Sequence, residues 1–250
     1  MSGFYAVSGE CTDANGDVFI VNLTGGVSEF AHGSRKRLRV FQTPTADPVG
    51  CAVDPMTGDL AVASLGFGSR GTVAIYKNAR SKPTIYRNSG FHEYFYCGYD
   101  DEGNLFVDGL ASDGSGNFVF AELPKDGTLL KTVTLNQYIG WPGQVEWDGK
   151  YMAVGDEITP AIYRFAIRGS HGTRAGTISL GGHAQMVEPF WIQDQTVIVP
   201  NAYSRGHGTQ LKGHSDILFF NYPGGGEPTT TIKHSDFDPP ESAVVSLAPR

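Results

Sequence analysis

The fold is decided by the stretch Gly50-Cys51-Ala52-Val53-Asp54-Pro55-Met56-Thr57-Gly58-Asp59-Leu60-Ala61-Val62-Ala63. Two apolar segments flank a short polar segment that starts at Asp54 and contains Gly58. An aspartate side chain accepts hydrogen bonds from the backbone of a following turn, and a glycine supplies the positive φ that tight turns need. The stretch therefore predicts two short antiparallel strands joined by a tight turn.

The same phrase recurs along the chain. It returns over residues 13–22 and 100–108, with weaker copies that start at Trp147 and Gln193. Each copy is followed by a third apolar segment, a turn and a more polar fourth segment. Four strands in about 40–50 residues make the unit of a β-propeller blade. Because no segment keeps a helical period, we expect very little helix.

The number of repeats sets the size of the ring. Five complete units begin at about Gly9, Gly50, Tyr96, Gln144 and Pro189. Residues 240–246 then match residues 48–54, the innermost strand of a blade. The sequence predicts an all-β propeller of four-stranded antiparallel blades in one domain over residues 1–250. Five blades with an extra terminal strand are favoured over six blades whose first strands are missing.

Composition narrows the class of protein. The 250 residues are 40% hydrophobic and 18% charged, with 33 glycines and 14 prolines, which is typical of a packed fold with many turns. A formal net charge of −7 argues against nucleic-acid binding. We also expect no membrane span, because no apolar run approaches about 20 residues.

The repeat resembles the NHL-repeat group of β-propellers and its gluconolactonase-like and strictosidine-synthase-like relatives. The resemblance is carried by residues 50–63, which follow the family order of glycine, apolar residues, Val-Asp, turn, glycine and apolar strand. It implies the propeller fold, usually with six blades, and an architecture that hosts lactonases, lyases, ligand sensors and protein-binding platforms. Two inner strands depart from the pattern, with Glu146 and Trp191 where small residues are expected.

The three cysteines all fall on predicted inner strands. Cys51 and Cys97 stand three residues before Asp54 and Asp100, whereas Cys11 is one step out of that register. Because alternate residues of a strand face opposite sides, we expect Cys11 to face away from the other two. We interpret the cysteines as small buried residues, with a soft-metal or redox cluster as the alternative. A disulfide framework is not expected from three cysteines.

Polar residues end the second strand of every unit. They are Asn22, Ser64, Asp108, Asp156 and Asn201. The resemblance to gluconolactonase-like propellers implies a divalent cation in the channel, and oxygen ligands suit calcium or magnesium. The candidate metal ligands are Asn22, Asp108, Asp156 and Asn201, and the glutamates that could complete the shell are Glu10, Glu146 and Glu188. The alternative is that such residues end strands because they hydrogen-bond the turns that follow.

Aromatic residues cluster where inner strands begin. The predicted ligand-binding residues are Tyr96, Trp141, Trp191 and His183. Rings at the mouth of a propeller channel suit stacking on sugars or other rings, or a protein contact. The alternative is packing between blades.

These patterns favour a non-catalytic propeller that binds a small molecule or a protein segment at its loop face and channel mouth. The alternative is a metal-dependent, lactonase-like hydrolase, in which a channel cation polarises a lactone carbonyl and activates a water. Related bacterial propellers are often exported, which favours an extracytoplasmic location, although Met1–Gly9 has no basic start or apolar middle of a signal peptide.

Overall fold

Five antiparallel sheets stand around a central channel, so the predicted five-bladed β-propeller is confirmed. The computed structural model describes residues 6–80, 82–182, 184, 187, 189–201, 216–233 and 240–248. In each blade four antiparallel strands follow outward in chain order, and in the fourth sheet the short strand Thr134–Leu135 is added in parallel at the outer edge. Sequence-adjacent strands pair because tight turns leave each new strand beside its predecessor.

The strands of the first two blades are short and regular. Blade 1 contains β1 (Val7–Thr12), β2 (Val18–Asn22), β3 (Gly26–Phe30) and β4 (Arg37–Phe41). Blade 2 contains β5 (Pro48–Val53), β6 (Leu60–Ser64), β7 (Thr72–Tyr76) and β8 (Thr84–Tyr86), with a 3-10 turn at Lys77–Ala79. Within the described ranges this turn is the one helical element, as the lack of a helical period predicts.

The other three blades vary more at their outer edges. Blade 3 contains β9 (Phe91–Tyr99), β10 (Leu105–Ala111), β11 (Phe118–Leu123) and β12 (Lys131–Thr132). Blade 4 contains β13 (Thr134–Leu135), β14 (Pro142–Trp147), β15 (Met152–Asp156), β16 (Ala161–Arg168) and β17 (His171–Ser179). Blade 5 contains β18 (Trp191–Gln193), β19 (Thr196–Asn201), β20 (Asp216–Asn221) and β21 (Gly225–Lys233).

One outer segment serves two blades. The sequence predicts a single outer strand for the third unit over residues 129–135. In the structure β12 pairs with β11 of blade 3, whereas β13 pairs in parallel with β17 of blade 4. The segment therefore ties the rims of blades 3 and 4 together.

The turns after the inner strands share one hydrogen-bond pattern. Asp13, Asp54, Asp100 and Asp148 each accept backbone N–H groups of the turn with their Oδ1 atom. For example, Asp54 Oδ1 accepts the N–H of Met56 at 2.8 Å. The repeated aspartate thus works as the sequence predicts, by satisfying a turn backbone that the strands leave unpaired.

The hydrophobic core lies between neighbouring blades. One cluster joins blades 1 and 2, a second joins blades 2 and 3, and two more join blades 3 and 4 and blades 4 and 5. Blades 2, 3 and 4 therefore bury both faces of their sheets, as a fully buried strand such as Leu60–Ser64 requires. No helix among the described residues is long and apolar enough to cross a membrane.

Cys11 and Cys51 form a disulfide between blades 1 and 2, with their Cα atoms 5.8 Å apart. The expectation that Cys11 faces away from Cys51 is therefore wrong, and the interpretation of these two cysteines as free, small buried residues is wrong with it. The physical reason is the ring itself. The face of β1 that looks toward blade 2 meets the opposite face of β5, so residues one step out of register point at each other.

The same geometry repeats between blades 2 and 3. By strand register Ala52 is equivalent to Cys11 and Cys97 is equivalent to Cys51, and Ala52 and Cys97 lie in one core cluster. The close approach of the backbones also repeats. A Cβ on Gly9 would lie 2.4 Å from the Val49 oxygen, and one on Gly50 would lie 2.6 Å from the Phe95 oxygen.

We therefore expect the substitution Ala52→Cys to create a second disulfide, with Cys97. Since the loop it closes is similar in length to the native one, it should raise the free energy of unfolding by about 2–4 kcal/mol. Thiol titration of the unfolded, unreduced variant would find no free thiol, and chemical denaturation would give the gain. The control is Ala153→Cys, in a different core cluster. Two titratable thiols in Ala52→Cys would contradict the proposed equivalence.

Residues 240–248 follow the fifth blade without forming a strand, which differs from the inner strand predicted there. They lie instead against the rim of blade 1. Ser246 Oγ donates to the Gly16 carbonyl and lies 2.6 Å from His32 Nδ1. A segment that has no second strand to pair with gains its hydrogen bonds from existing turns.

Candidate functional site

A cavity of about 320 Å³ occupies the end of the central channel at which the inner strands finish. We call this the turn end, and the opposite end, where the inner strands begin, the start end. The lining comes from β1, β5, β9, β14 and β18, one inner strand of every blade, and from the first turns of blades 1 and 2. A concave space to which all blades contribute is the usual place for a ligand in such a fold.

Apolar side chains occupy the start end of the channel. Leu65 is buried in the cluster between blades 3 and 4, and Leu23 and Phe95 pack against that cluster. The Trp141 ring meets Phe95 edge to face, with ring centroids 6.0 Å apart. These contacts favour access to the cavity from the turn end.

Glu146 is a half-buried residue of the cavity wall whose carboxyl group forms a hydrogen bond to another blade. It takes the place that Cys11, Ala52 and Gly98 hold in the first three blades, one ladder pair before the end of the inner strand. The N–H of Ile192 in blade 5 donates to Glu146 Oε2 at 2.8 Å. Burial raises the pKa of Glu146 well above its ordinary value, although this hydrogen bond opposes the shift.

Two indole rings border the same cavity. Trp147 ends the inner strand of blade 4, and Trp191 begins that of blade 5. Among the described residues, neither Trp147 Nε1 nor Trp191 Nε1 meets a hydrogen-bond acceptor, although both atoms are buried. A buried donor without a partner costs about 1–3 kcal/mol. The wall thus contains hydrogen-bonding capacity that the chain itself does not use.

The sulfur atoms in the cavity wall are in unreactive forms. Cys11 and Cys51 are tied in the disulfide, and Cys97 is a fully buried free thiol. Burial raises the pKa of Cys97 far above its ordinary value, and the nearby Asp108 raises it further. A protonated thiol is a poor nucleophile and a poor metal ligand.

The structure separates the predicted ligand-binding residues. Trp191 lines the cavity at the turn end, whereas Trp141 lies at the start end. Tyr96 is only 1% exposed and belongs to the core between blades, so its side chain does not line the cavity. His183 lies outside the described residues. A binding role for these four residues stays a prediction.

The predicted metal ligands are buried at the start end, and each forms a hydrogen bond there. Asp108 Oδ1 accepts the N–H of Tyr96 at 2.8 Å, and Asp156 Oδ2 accepts the N–H of Gly140 at 3.1 Å. Asn22 Oδ1 accepts the N–H of Ala6 at 3.4 Å. These bonds hold the start of the inner strand beside the end of the second strand. The alternative interpretation expected bonds to the turns that follow, and Asp156 forms one, since its Oδ1 accepts the N–H of Ile158 at 3.1 Å.

The remaining ligand candidate, Asn201, donates to Asp216 Oδ1 at 2.9 Å. Burial raises the pKa of Asp108 well above its ordinary value, against the backbone hydrogen bonds that lower it. Calcium needs ionised or carbonyl oxygens, which a protonated carboxyl group supplies poorly. The described residues contain no group of three His, Cys, Asp or Glu placed to hold a metal ion. The calcium site stays a prediction.

The signal for the cavity residues was present in the repeat. Glu146 and Trp191 are the two residues that depart from the small residues of the family pattern, and both line the cavity. The sequence did not mark Cys97 and Tyr99 as cavity residues, because apolar and aromatic residues of this kind occur in the core of every blade.

No family model matches this chain, and no curated protein sequence matches it. Solved structures do match. A chain in the crystal structure of the nidogen/laminin complex has a TM-score of 0.71 at 12% identity, over 91% of this chain and 80% of that one. A protein of unknown function from Bacteroides caccae has a TM-score of 0.67 at 14% identity, over 94% and 83%. At these identities the likeness shows the β-propeller fold, and the NHL-repeat and gluconolactonase-like families are not distinguished from other propellers.

Proposed function

We propose that this propeller binds a small molecule in the cavity at the turn end of its channel and performs no chemistry on it. The observation that carries the proposal is the shared lining. The inner strands of all five blades line one cavity of about 320 Å³. This volume lies in the lower part of the range found for small-molecule sites. That volume favours a small molecule over the protein segment that the sequence also allows.

The wall supports binding in two further ways. The two indole N–H groups without acceptors lie beside the space where a ligand would sit, so rotation of either ring toward the cavity would let a ligand oxygen accept from it. The sulfur atoms are held as a disulfide and a protonated thiol, which suits a passive wall. The disulfide also supports the expected extracytoplasmic location, because such bonds persist in oxidising compartments.

Filling the cavity tests the proposal. A fragment library of cations, neutral rings and carboxylates would be screened by thermal unfolding against the wild-type protein and Val53→Trp. Val53 lines the cavity at the end of β5, so the larger ring would occupy the ligand space. A true ligand at ten times its Kd should raise Tm by about 3–6 °C in the wild type and leave Val53→Trp unchanged.

The matched control is Leu129→Trp, which adds the same ring at a side chain that is 67% exposed and far along the rim of blade 3. It should keep every shift that the wild type shows. If no fragment distinguishes the wild type from Val53→Trp, the cavity is not a small-molecule site and the proposal fails.

A further inference from the structure

The cavity wall contains carboxyl groups and no basic side chain. Its ionisable carboxyl groups are Asp13, at the mouth, and Glu146, inside. The described lining includes no lysine, arginine or histidine. A ligand that carried its own negative charge would therefore enter against like charge, whereas a cation would enter with it.

Further aspartates lie in the turns near the cavity. Asp54 and Asp100 begin the turns of blades 2 and 3 at positions equivalent to Asp13. The ion pairs among the described residues involve other carboxylates, Glu29, Glu93 and Asp148. Of the three aspartates Asp13 lines the cavity, and Asp13 and Asp54 also line a neighbouring pocket with Arg39 and Arg80.

Aromatic rings in the cavity wall provide faces that a cation can contact. Trp147, Trp191 and Tyr99 come from three different blades and line the same space. The face of an indole ring attracts a cation by about 0.5–2 kcal/mol, with the larger value in desolvated sites. Small residues on the facing blades, Ala52 and Gly98, leave the room in which a compact group could contact these rings.

Resting on the proposed function, we propose that the ligand is an organic cation, whose ammonium group is held between the indole rings and the Glu146 carboxyl group. Burial raises the pKa of Glu146 well above its ordinary value. A cation beside it lowers that pKa by stabilising the carboxylate, and any proton that is released goes to solvent. The Ile192 N–H that already donates to Oε2 holds this carboxyl group in place for either form.

Choline and 3,3-dimethylbutan-1-ol test this assignment, because they share one shape and differ in charge. Isothermal titration should give choline a Kd of the order of 1 mM or lower, and the neutral alcohol should bind at least about tenfold more weakly. Benzoate, the anionic probe, should not compete. Glu146→Gln should weaken choline at least about tenfold and remove the preference over the alcohol.

The matched control is Glu10→Gln. Glu10 lies on β1, its burial also raises its pKa, to about 7, and it does not line the cavity. Choline affinity should be unchanged in this variant. If the neutral alcohol or benzoate binds as well as choline, or if no choline binding is found, the assignment to a cation is wrong. The proposed function would survive that result whenever another fragment binds the wild type and not Val53→Trp.

Discussion

Replacing Cys51 with alanine is expected to lower the free energy of unfolding by about 4 kcal/mol. The disulfide joins residues 40 positions apart, and closing a loop of that length restricts the unfolded chain by about that amount. Both sulfur atoms lie in the apolar cluster between blades 1 and 2, and the Cys11 thiol that the variant leaves there is tolerated as a small, nearly apolar group. Urea denaturation of the oxidised wild type and the variant gives the difference directly.

Two comparisons separate the effect of the disulfide on stability from the effect of the lost side-chain volume. Cys11→Ala and the double variant should lose about as much as Cys51→Ala, because one bond is broken in all three. A reductant should shift the unfolding midpoint of the wild type and leave the variants unchanged. An unchanged wild-type midpoint under full reduction would show that the disulfide does not stabilise the ring.

Replacing Arg164 with alanine is expected to lower the free energy of unfolding by about 3–5 kcal/mol. Asp148 is fully buried, and its Oδ2 accepts from Arg164 Nε at 2.5 Å and from the Tyr222 hydroxyl at 2.6 Å. The Arg164 guanidinium also lies over the Tyr151 ring, 4.7 Å from its centroid. Because Tyr222 belongs to blade 5 and the others to blade 4, the variant leaves a buried carboxylate unpaired at a blade interface. Chemical denaturation at pH 7 measures the loss.

The control Tyr222→Phe removes a single hydroxyl and should cost less, about 1.5–3 kcal/mol. The pH dependence gives a second readout. Burial alone would raise the pKa of Asp148, but the hydrogen bonds from Arg164 and Tyr222 outweigh it and hold the pKa below its ordinary value of 3.8. The contribution of Asp148 is therefore complete above that value and is lost as the pH falls below it. Equal acid sensitivity in the wild type and Asp148→Asn would contradict this account.

The blades could be predicted from the sequence because their signals are local. An aspartate, a turn glycine and alternating apolar residues within 15 positions define each hairpin, as residues 50–63 show. Contacts between blades could not be predicted in the same way. These contacts depend on which faces of two inner strands meet. Because opposite faces of β1 and β5 meet, the one-residue offset of Cys11 brings it to Cys51 instead of turning it away.

The sequence marked part of the candidate site, but it did not indicate the end of the channel at which the cavity lies. Glu146 and Trp191 were marked by departing from a repeat of small residues, and both reach the cavity. The expected position was the start end, where Tyr96 and Trp141 lie. Strand periodicity gives the side of the sheet on which a residue lies, but the end of the channel that side chains fill depends on packing of all five blades.

The contact of Ser246 with Gly16 joins positions 230 residues apart along the chain. When a ribosome releases blade 1, the residues that cover its rim have not yet been made. The blade that is made first is thus covered late. Slow translation of residues 240–248 would delay this contact and lengthen the time for which the rim of blade 1 is accessible to proteases or chaperones.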